Sequence, residues 1–225
     1  MIGAFAPTMS SEQHSGMDRT LVIECATEAC SVALFDNADL RLVARRHEVL
    51  GRGHAERLIP MIAELPGNGS AGRICVSLGP GSFTGVRIGI AAARALAIAW
   101  NAAVEGYPTL ALVAASHWQP ETGPVTVCME GGHAQWFVQN FDKYRLPEDN
   151  IRSLTHEDAA SACRHSTIVG NRAKALAKLL GGDHLAIDLS ADAQHFPHLG
   201  PNLLTSDLTP LYGRAPDAKP AAARP

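Results

Sequence analysis

A chain of 225 residues, 46% hydrophobic and 18% charged, can bury a real core and is sized for one two-lobed domain or two small ones. Its formal net charge of −3 gives no overall footprint for nucleic acid or an anionic membrane, so such a partner would have to be met locally or through another protein. Cys25, Cys30, Cys75, Cys128 and Cys163 form no C-x-x-C pair and four lie in apolar runs, which implies buried thiols in a reducing compartment and speaks against a zinc site.

Residues 1–18, "MIGAFAPTMSSEQHSGMD", lack both periodicity and the basic, then apolar, layout of a signal peptide. They read as a disordered extension, with Met17 an alternative start. Strand-like runs follow at 20–26, 30–36 and 40–49, separated by "TEA" and "NAD", and predict an antiparallel meander. In "HAERLIPMIAEL" (54–65), Ala55, Leu58, Ile59, Ile62 and Leu65 fit a helical period, and Pro60 should bend or delay that helix. A buried strand is expected at 73–79, a helix over 85–100, and a second helix near 110–116. Strands at 125–130, 135–141 and 167–170 and a helix over 172–180 complete the pattern. No run is expected to reach the roughly 18 to 20 apolar residues of a membrane span.

A meander plus helices in the first half and a weaker hairpin plus helix in the second suggest an α/β chain with a duplicated lobe. The expected division is 19–106 for the N-terminal lobe, 107–200 for the C-terminal lobe and 201–225 for a largely irregular tail containing Pro216, Pro220 and Pro225.

The densest signal is "LGPGSFTGVRIGI", residues 78–90. It fails as a Walker A loop because no lysine follows Gly85, as a dinucleotide fingerprint because Thr84 replaces the third glycine, and as a nucleophile elbow because Ser82 directly follows Gly81. Ser82 or Thr84 instead fits a helix N-cap, and an anion at the helix start stays physically open. Along the helix, Gly85, Gly89, Ala93 and Ala97 recur every four residues as a small-residue ridge, while Arg87 and Arg94 share one face. An all-round apolar helix of this kind is either central to its own domain or divided between its core and a partner.

Ten histidines form no H-E-x-x-H or H-x-x-x-H pattern, and His54 reads as solvent-facing or capping. Arg41, Arg45, Arg46, Arg52 and Arg57 read as a solvated face rather than a phosphate patch, since Glu48 and Glu56 are mixed among them and no aromatics are interleaved. Glu24 and Glu130 end corresponding strands of the two halves, so both could point into one cleft or each could cap a turn.

Four segments, "IECATEACSVALFDN", "HAERLIPMIAEL", "GPGSFTGVRIGIAAARALA" and "PLYGRAPDAKP", resemble in order the TsaB (YeaZ) family of bacterial tRNA threonylcarbamoyladenosine biosynthesis proteins. The resemblance runs from about residue 20 to 219. It implies a two-lobed fold of the actin, hexokinase and heat-shock ATPase kind. It further implies a cytoplasmic, non-catalytic scaffold subunit, without cofactor, metal or membrane, that binds the catalytic paralogue TsaD. With TsaE, that complex would modify the adenosine beside the anticodon of tRNA, which this chain would meet only indirectly. Whether the chain forms a homodimer when alone stays open. The TsaD metal histidines would fall in "PTLALVAAS", where Thr109 and Val113 stand instead, and neither side chain supplies a nitrogen ligand. The family's Asp-Thr and Asp-Ala-Arg are replaced by Glu24-Cys25 and Glu130-Gly131-Gly132, which puts a nucleotide phosphate site in doubt. The implied partner interface is a four-helix arrangement built on the helices at 54–65 and from Gly85, through Leu58, Ile62, Gly85, Arg87, Gly89, Ala93, Arg94 and Ala97. The alternative is an autonomous ATPase or phosphotransferase of the same fold.

Overall fold

The computed structural model describes residues 18–213. The expectations for a loose extension before Met17 and for the tail beyond Gly213 fall outside the described residues, except that Asp18 is described.

The apolar runs of the first half build a five-stranded sheet in the order β3-β2-β1-β4-β5, with β1 (Arg19–Glu24), β2 (Ala29–Asp36), β3 (Leu42–Val49), β4 (Arg73–Ser77) and β5 (Ala103–Tyr107). The first three strands form the expected antiparallel meander, and β4 and β5 run parallel to β1. The second sheet repeats this plan. Its order is β8-β7-β6-β9-β10, from β6 (Val125–Gly132), β7 (Gln135–Phe141), β8 (Arg152–Leu154), β9 (Thr167–Val169) and β10 (Leu185–Ile187), again an antiparallel meander followed by two parallel strands. The lobe is therefore duplicated.

Helices α1 (His54–Ala63) and α2 (Phe83–Trp100) cover the outer face of the first sheet, where Leu21, Ile23, Val32, Leu34, Ile74 and Val76 meet them. Val22, Ala33, Phe35 and Cys75 point to the other face, so these strands are apolar on both sides and read as continuous runs rather than alternating ones. Between the sheets lies α3 (Thr109–Ser116), buried from Thr109 to Ala115, together with a 3₁₀ segment, Ala193–His198. Helices α4 (His156–Ala162) and α5 (Ala173–Leu180) close the outer face of the second sheet over Cys128, Trp136, Val138 and Ile168.

Besides the 3₁₀ segments, four elements escaped the sequence reading: β5, β8, β10 and α4. Three are short or edge strands. The fourth carried a usable sign, since Thr155 accepts a bond from the Asp158 backbone N–H at 3.2 Å as the N-cap of α4. Pro60 does not delay α1, which starts at His54, and the helical bond after it, from Glu64 N–H to the Pro60 carbonyl at 3.0 Å, is intact.

Candidate partner surface and inter-lobe cleft

The glycine-rich stretch joins β4 to α2 and presses both against the β1–β2 turn. A Cβ on Gly81 would fall 2.0 Å from the Ala26 carbonyl oxygen, and one on Gly85 would fall 2.0 Å from that of Cys25. Any side chain there is shut out by backbone. Ser82 N–H donates to the Ala26 carbonyl at 2.7 Å, and Ser82 Oγ caps α2 by accepting from Gly85 N–H at 3.2 Å.

The two outer helices divide their surfaces in a way that corrects the interface assignment. Gly85, Gly89 and Ala93 are buried on α2, and Leu58 and Ile62 are buried on α1. A Cβ on Gly89 would meet Val76, Cys25 and Ile23 at 3.4 to 3.7 Å, all in this chain's own sheet. The small-residue ridge thus lets α2 lie close on its own lobe, and these five residues are core rather than docking surface. Ala97 is half-buried, whereas Arg87 and Arg94 stand in solvent.

The opposite stripe of α2 is apolar and uncovered. Phe83, Ala91, Ala95, Ile98 and Ala99 are exposed, Ile98 to 86%, and Ile59 of α1 adds another exposed aliphatic. By length and composition alone α2 is apolar enough to cross a membrane, with 28% of it buried here, although Thr84, Arg87 and Arg94 keep it from being an unbroken apolar run. Arg87 and Arg94 interrupt its exposed side, and its inner side is occupied by the sheet. At its N-terminal end Arg87 lies 3.4 Å from the Phe83 ring centre and donates to Tyr212 Oη at 2.9 Å, while Phe83 and Tyr212 stack at 5.6 Å. Leu211 N–H donates to the Leu78 carbonyl at 2.7 Å, so the described tail runs extended over the start of this helix.

Between the lobes is a cleft of about 270 Å³ lined by Ala26, Thr27, Pro80, Gly81, Glu130 and Gly132 among others. A larger hollow, about 780 Å³, lies elsewhere, between residues 147–151 and the tail at 210–213.

The two candidate acids do not act as a pair. Glu24 is 0% exposed, its Oε1 accepts from Ala26 N–H at 2.7 Å, and its Oε2 has no hydrogen-bond partner among the described residues. Burial raises its pKa to about 7, against the opposing pull of the Ala26 N–H and of the Ser77 and Thr109 hydroxyls, which are 2.5 Å from each other. Glu130, by contrast, is exposed, ion-paired to Arg172 at 2.5 Å and accepting from Gly132 N–H at 3.1 Å. Thr109 and Val113 are both buried on α3.

His54 is also corrected: it is buried and its Nε2 lies 3.0 Å from the Thr27 carbonyl, tying α1 to the β1–β2 turn. The basic run is spent largely on ion pairs, Arg41 with Asp36, Arg45 with Asp192, Arg46 with Glu64, and Arg57 with Glu48 and Glu64.

Against this geometry, residues 47–198 match the family model of TsaD, tRNA N6-adenosine threonylcarbamoyltransferase. The chain is 39% identical over 106 residues to the tRNA threonylcarbamoyladenosine biosynthesis protein TsaB of Escherichia coli, a match covering 45% of each chain. It is also 39% identical over 82 residues to that of Haemophilus influenzae, covering 34% of each. These matches span less than half the length of the curated relatives. YeaZ from Pseudomonas aeruginosa superposes with a TM-score of 0.66 at 23% identity over 81% of this chain and 90% of that one, and shows the shared fold. With its duplicated five-stranded lobes, the chain belongs to the tRNA N6-adenosine threonylcarbamoyltransferase family and, within it, to the TsaB (YeaZ) branch.

Proposed function

We propose that this chain is a non-catalytic subunit that binds TsaD and, with TsaE, supports threonylcarbamoyl transfer to the adenosine beside the anticodon of tRNA in the cytoplasm. The observation that carries this is the contrast between two apolar helices. Helix α3 is almost wholly apolar and buried all round, whereas α2 is apolar apart from Thr84, Arg87 and Arg94 and is buried on one face only. An uncovered stripe of small and aliphatic residues on a rigid 18-residue helix suits a second helix pair, and α1 extends it through Ile59. Of the interface positions expected from the sequence, Arg87 and Arg94 remain on that face, with Ala97 at its margin.

Support for a non-catalytic role comes from the acids. Glu24 is sealed from solvent and shifted toward its neutral form, and Glu130 is engaged by Arg172. Thr109 and Val113 offer no nitrogen ligand on α3.

Co-expression of the full chain with TsaD, followed by size-exclusion chromatography with light scattering, tests pairing directly. A stoichiometric complex is expected, together with no ATP hydrolysis by the isolated chain. Metal-dependent turnover by this chain alone, lost in Glu24→Gln or Glu130→Gln, would replace the scaffold assignment with the enzyme one.

A further inference from the structure

Cys25 and Cys30 are five positions apart, with the β1–β2 turn between them. The antiparallel register pairs Ile23 with Val32 and Glu24 with Ser31, and Cys25, the first residue past the end of β1, continues that register toward Cys30. Directly opposed residues in such a ladder have Cα atoms about 4.5 to 5.5 Å apart, inside the range of roughly 4.4 to 6.8 Å that a disulfide spans. The two sulfurs are already 3.5 Å apart. Both thiols are buried, yet the turn that joins them, through Ala26, Thr27 and Glu28, lines the inter-lobe cleft. A small oxidant needs only a local opening of that turn to reach them.

We propose that Cys25 and Cys30 are a redox modification site, closing to a cross-strand disulfide under peroxide or a disulfide oxidant. With hydrogen peroxide, the Cys30 thiolate attacks one peroxide oxygen. The S–O bond forms, the O–O bond breaks, and the departing hydroxide takes a proton to become water. Cys25 sulfur then attacks Cys30 sulfur, the S–S bond forms, the S–O bond breaks, and the leaving hydroxide carries away the Cys25 proton as a second water. Two electrons pass from the thiols to the peroxide. With a disulfide oxidant, the Cys30 thiolate breaks its S–S bond to give a mixed disulfide and one free thiol, and Cys25 sulfur then displaces the second thiol, so the same two electrons reduce the oxidant. The contact between the two sulfurs lowers the Cys30 pKa, aided by Arg57 and opposed by burial and by Glu24 and Glu48, and it raises that of Cys25 together with burial, which favours Cys30 as the attacking sulfur. The site matters to the outer layer, since the Cys25 carbonyl and Cβ are the surfaces on which Gly85 and Gly89 seat α2.

The test treats the reduced, folded full chain with hydrogen peroxide or glutathione disulfide, then alkylates it in denaturant and digests it with trypsin. Cys25 and Cys30 share the tryptic peptide 20–41. That peptide is expected to lose the mass of two hydrogens, to resist alkylation until a reductant is added, and to do so before Cys75 or Cys128 changes. In Cys25→Ser, dimedone should trap a sulfenic acid at Cys30. If peptide 20–41 keeps two alkylatable thiols while the partly exposed Cys163 is oxidised, the pair is an inert packing contact and the proposal fails. The measurement on the unsubstituted chain decides between these outcomes even if a serine variant does not fold.

Discussion

Gly85 and Cys25 meet where α2 begins. The space a side chain at 85 would take is held by the Cys25 carbonyl oxygen, 2.0 Å from the position of a Cβ, while Gly89 one turn later has its nearest neighbour at 3.4 Å. Backbone cannot move aside as a flexible side chain can. Gly85→Ala is therefore expected to destabilise the isolated chain by at least roughly 1 to 3 kcal/mol. Gly89→Ala should be neutral or stabilising, since its Cβ makes ordinary contacts and alanine is favoured over glycine in a helix by about 1 kcal/mol. Thermal unfolding of the two variants decides it. Equal midpoints would mean that the start of α2 does not rest on the β1–β2 turn.

Asp192 ties the segment entering the inter-sheet 3₁₀ turn to the first lobe. Its Oδ1 accepts from Ser31 Oγ and from Gln194 N–H, both at 3.1 Å, and Ser31 Oγ accepts in turn from Ala193 N–H at 3.0 Å. Asp192→Ala should leave buried donors without acceptors and cost roughly 1 to 3 kcal/mol in denaturant unfolding, with Ser31→Ala in the same direction. The double variant should cost less than the sum of the two, because both remove the same network. Strict additivity would show that the two residues act independently.

The parts of this architecture that were legible in the sequence are those whose pattern has one physical solution. Runs such as "TLVIECA" and "CSVALFD" on either side of a short polar break admit little besides a buried hairpin. Ser82 ahead of an apolar run reads as a cap, and it is one. Three-residue strands such as β8 and β10 carry too few side chains to declare a period. The ridge of Gly85, Gly89 and Ala93 was misassigned because small residues permit close approach to a sheet as well as to a helix. What decides between them is the Cys25 carbonyl and the Val76 side chain, which only the folded chain brings there. The proximity of Cys25 and Cys30 was readable from the hairpin register, but a search for C-x-x-C spacing passes over it.

Glu24 makes stability depend on pH. Its folded pKa of about 7 stands above the ordinary value of 4.5, so the folded state holds a proton that the unfolded chain releases. Its contribution is fully present below about pH 4.5 and is lost as pH rises through about 7, by an amount on the order of 3 kcal/mol at 1.36 kcal/mol per pKa unit. Glu24→Gln keeps an acceptor for Ala26 N–H and cannot ionise. The variant should match the parent near pH 4 and exceed it in urea unfolding at pH 8. Parallel stability curves across that range would mean that Glu24 ionises freely in the fold.

Ile98 supplies the sharpest test of the uncovered face of α2, because it is 86% exposed and has little to lose within its own lobe. Surface substitutions away from special features usually stay within about 0.5 kcal/mol, so Ile98→Glu should leave the thermal midpoint of the isolated chain nearly unchanged. If the stripe docks against TsaD, the same substitution puts a charge into an apolar contact. A loss of about 2 kcal/mol or more in binding, roughly thirtyfold in Kd, is then expected. Gly89→Leu should behave in the opposite manner, lowering the stability of the isolated chain because its side chain would enter the space beside Val76 and Cys25. Calorimetry of each variant alone, paired with titration against TsaD, separates the two faces. Undiminished TsaD affinity in Ile98→Glu, with the fold intact, would remove this stripe from the interface.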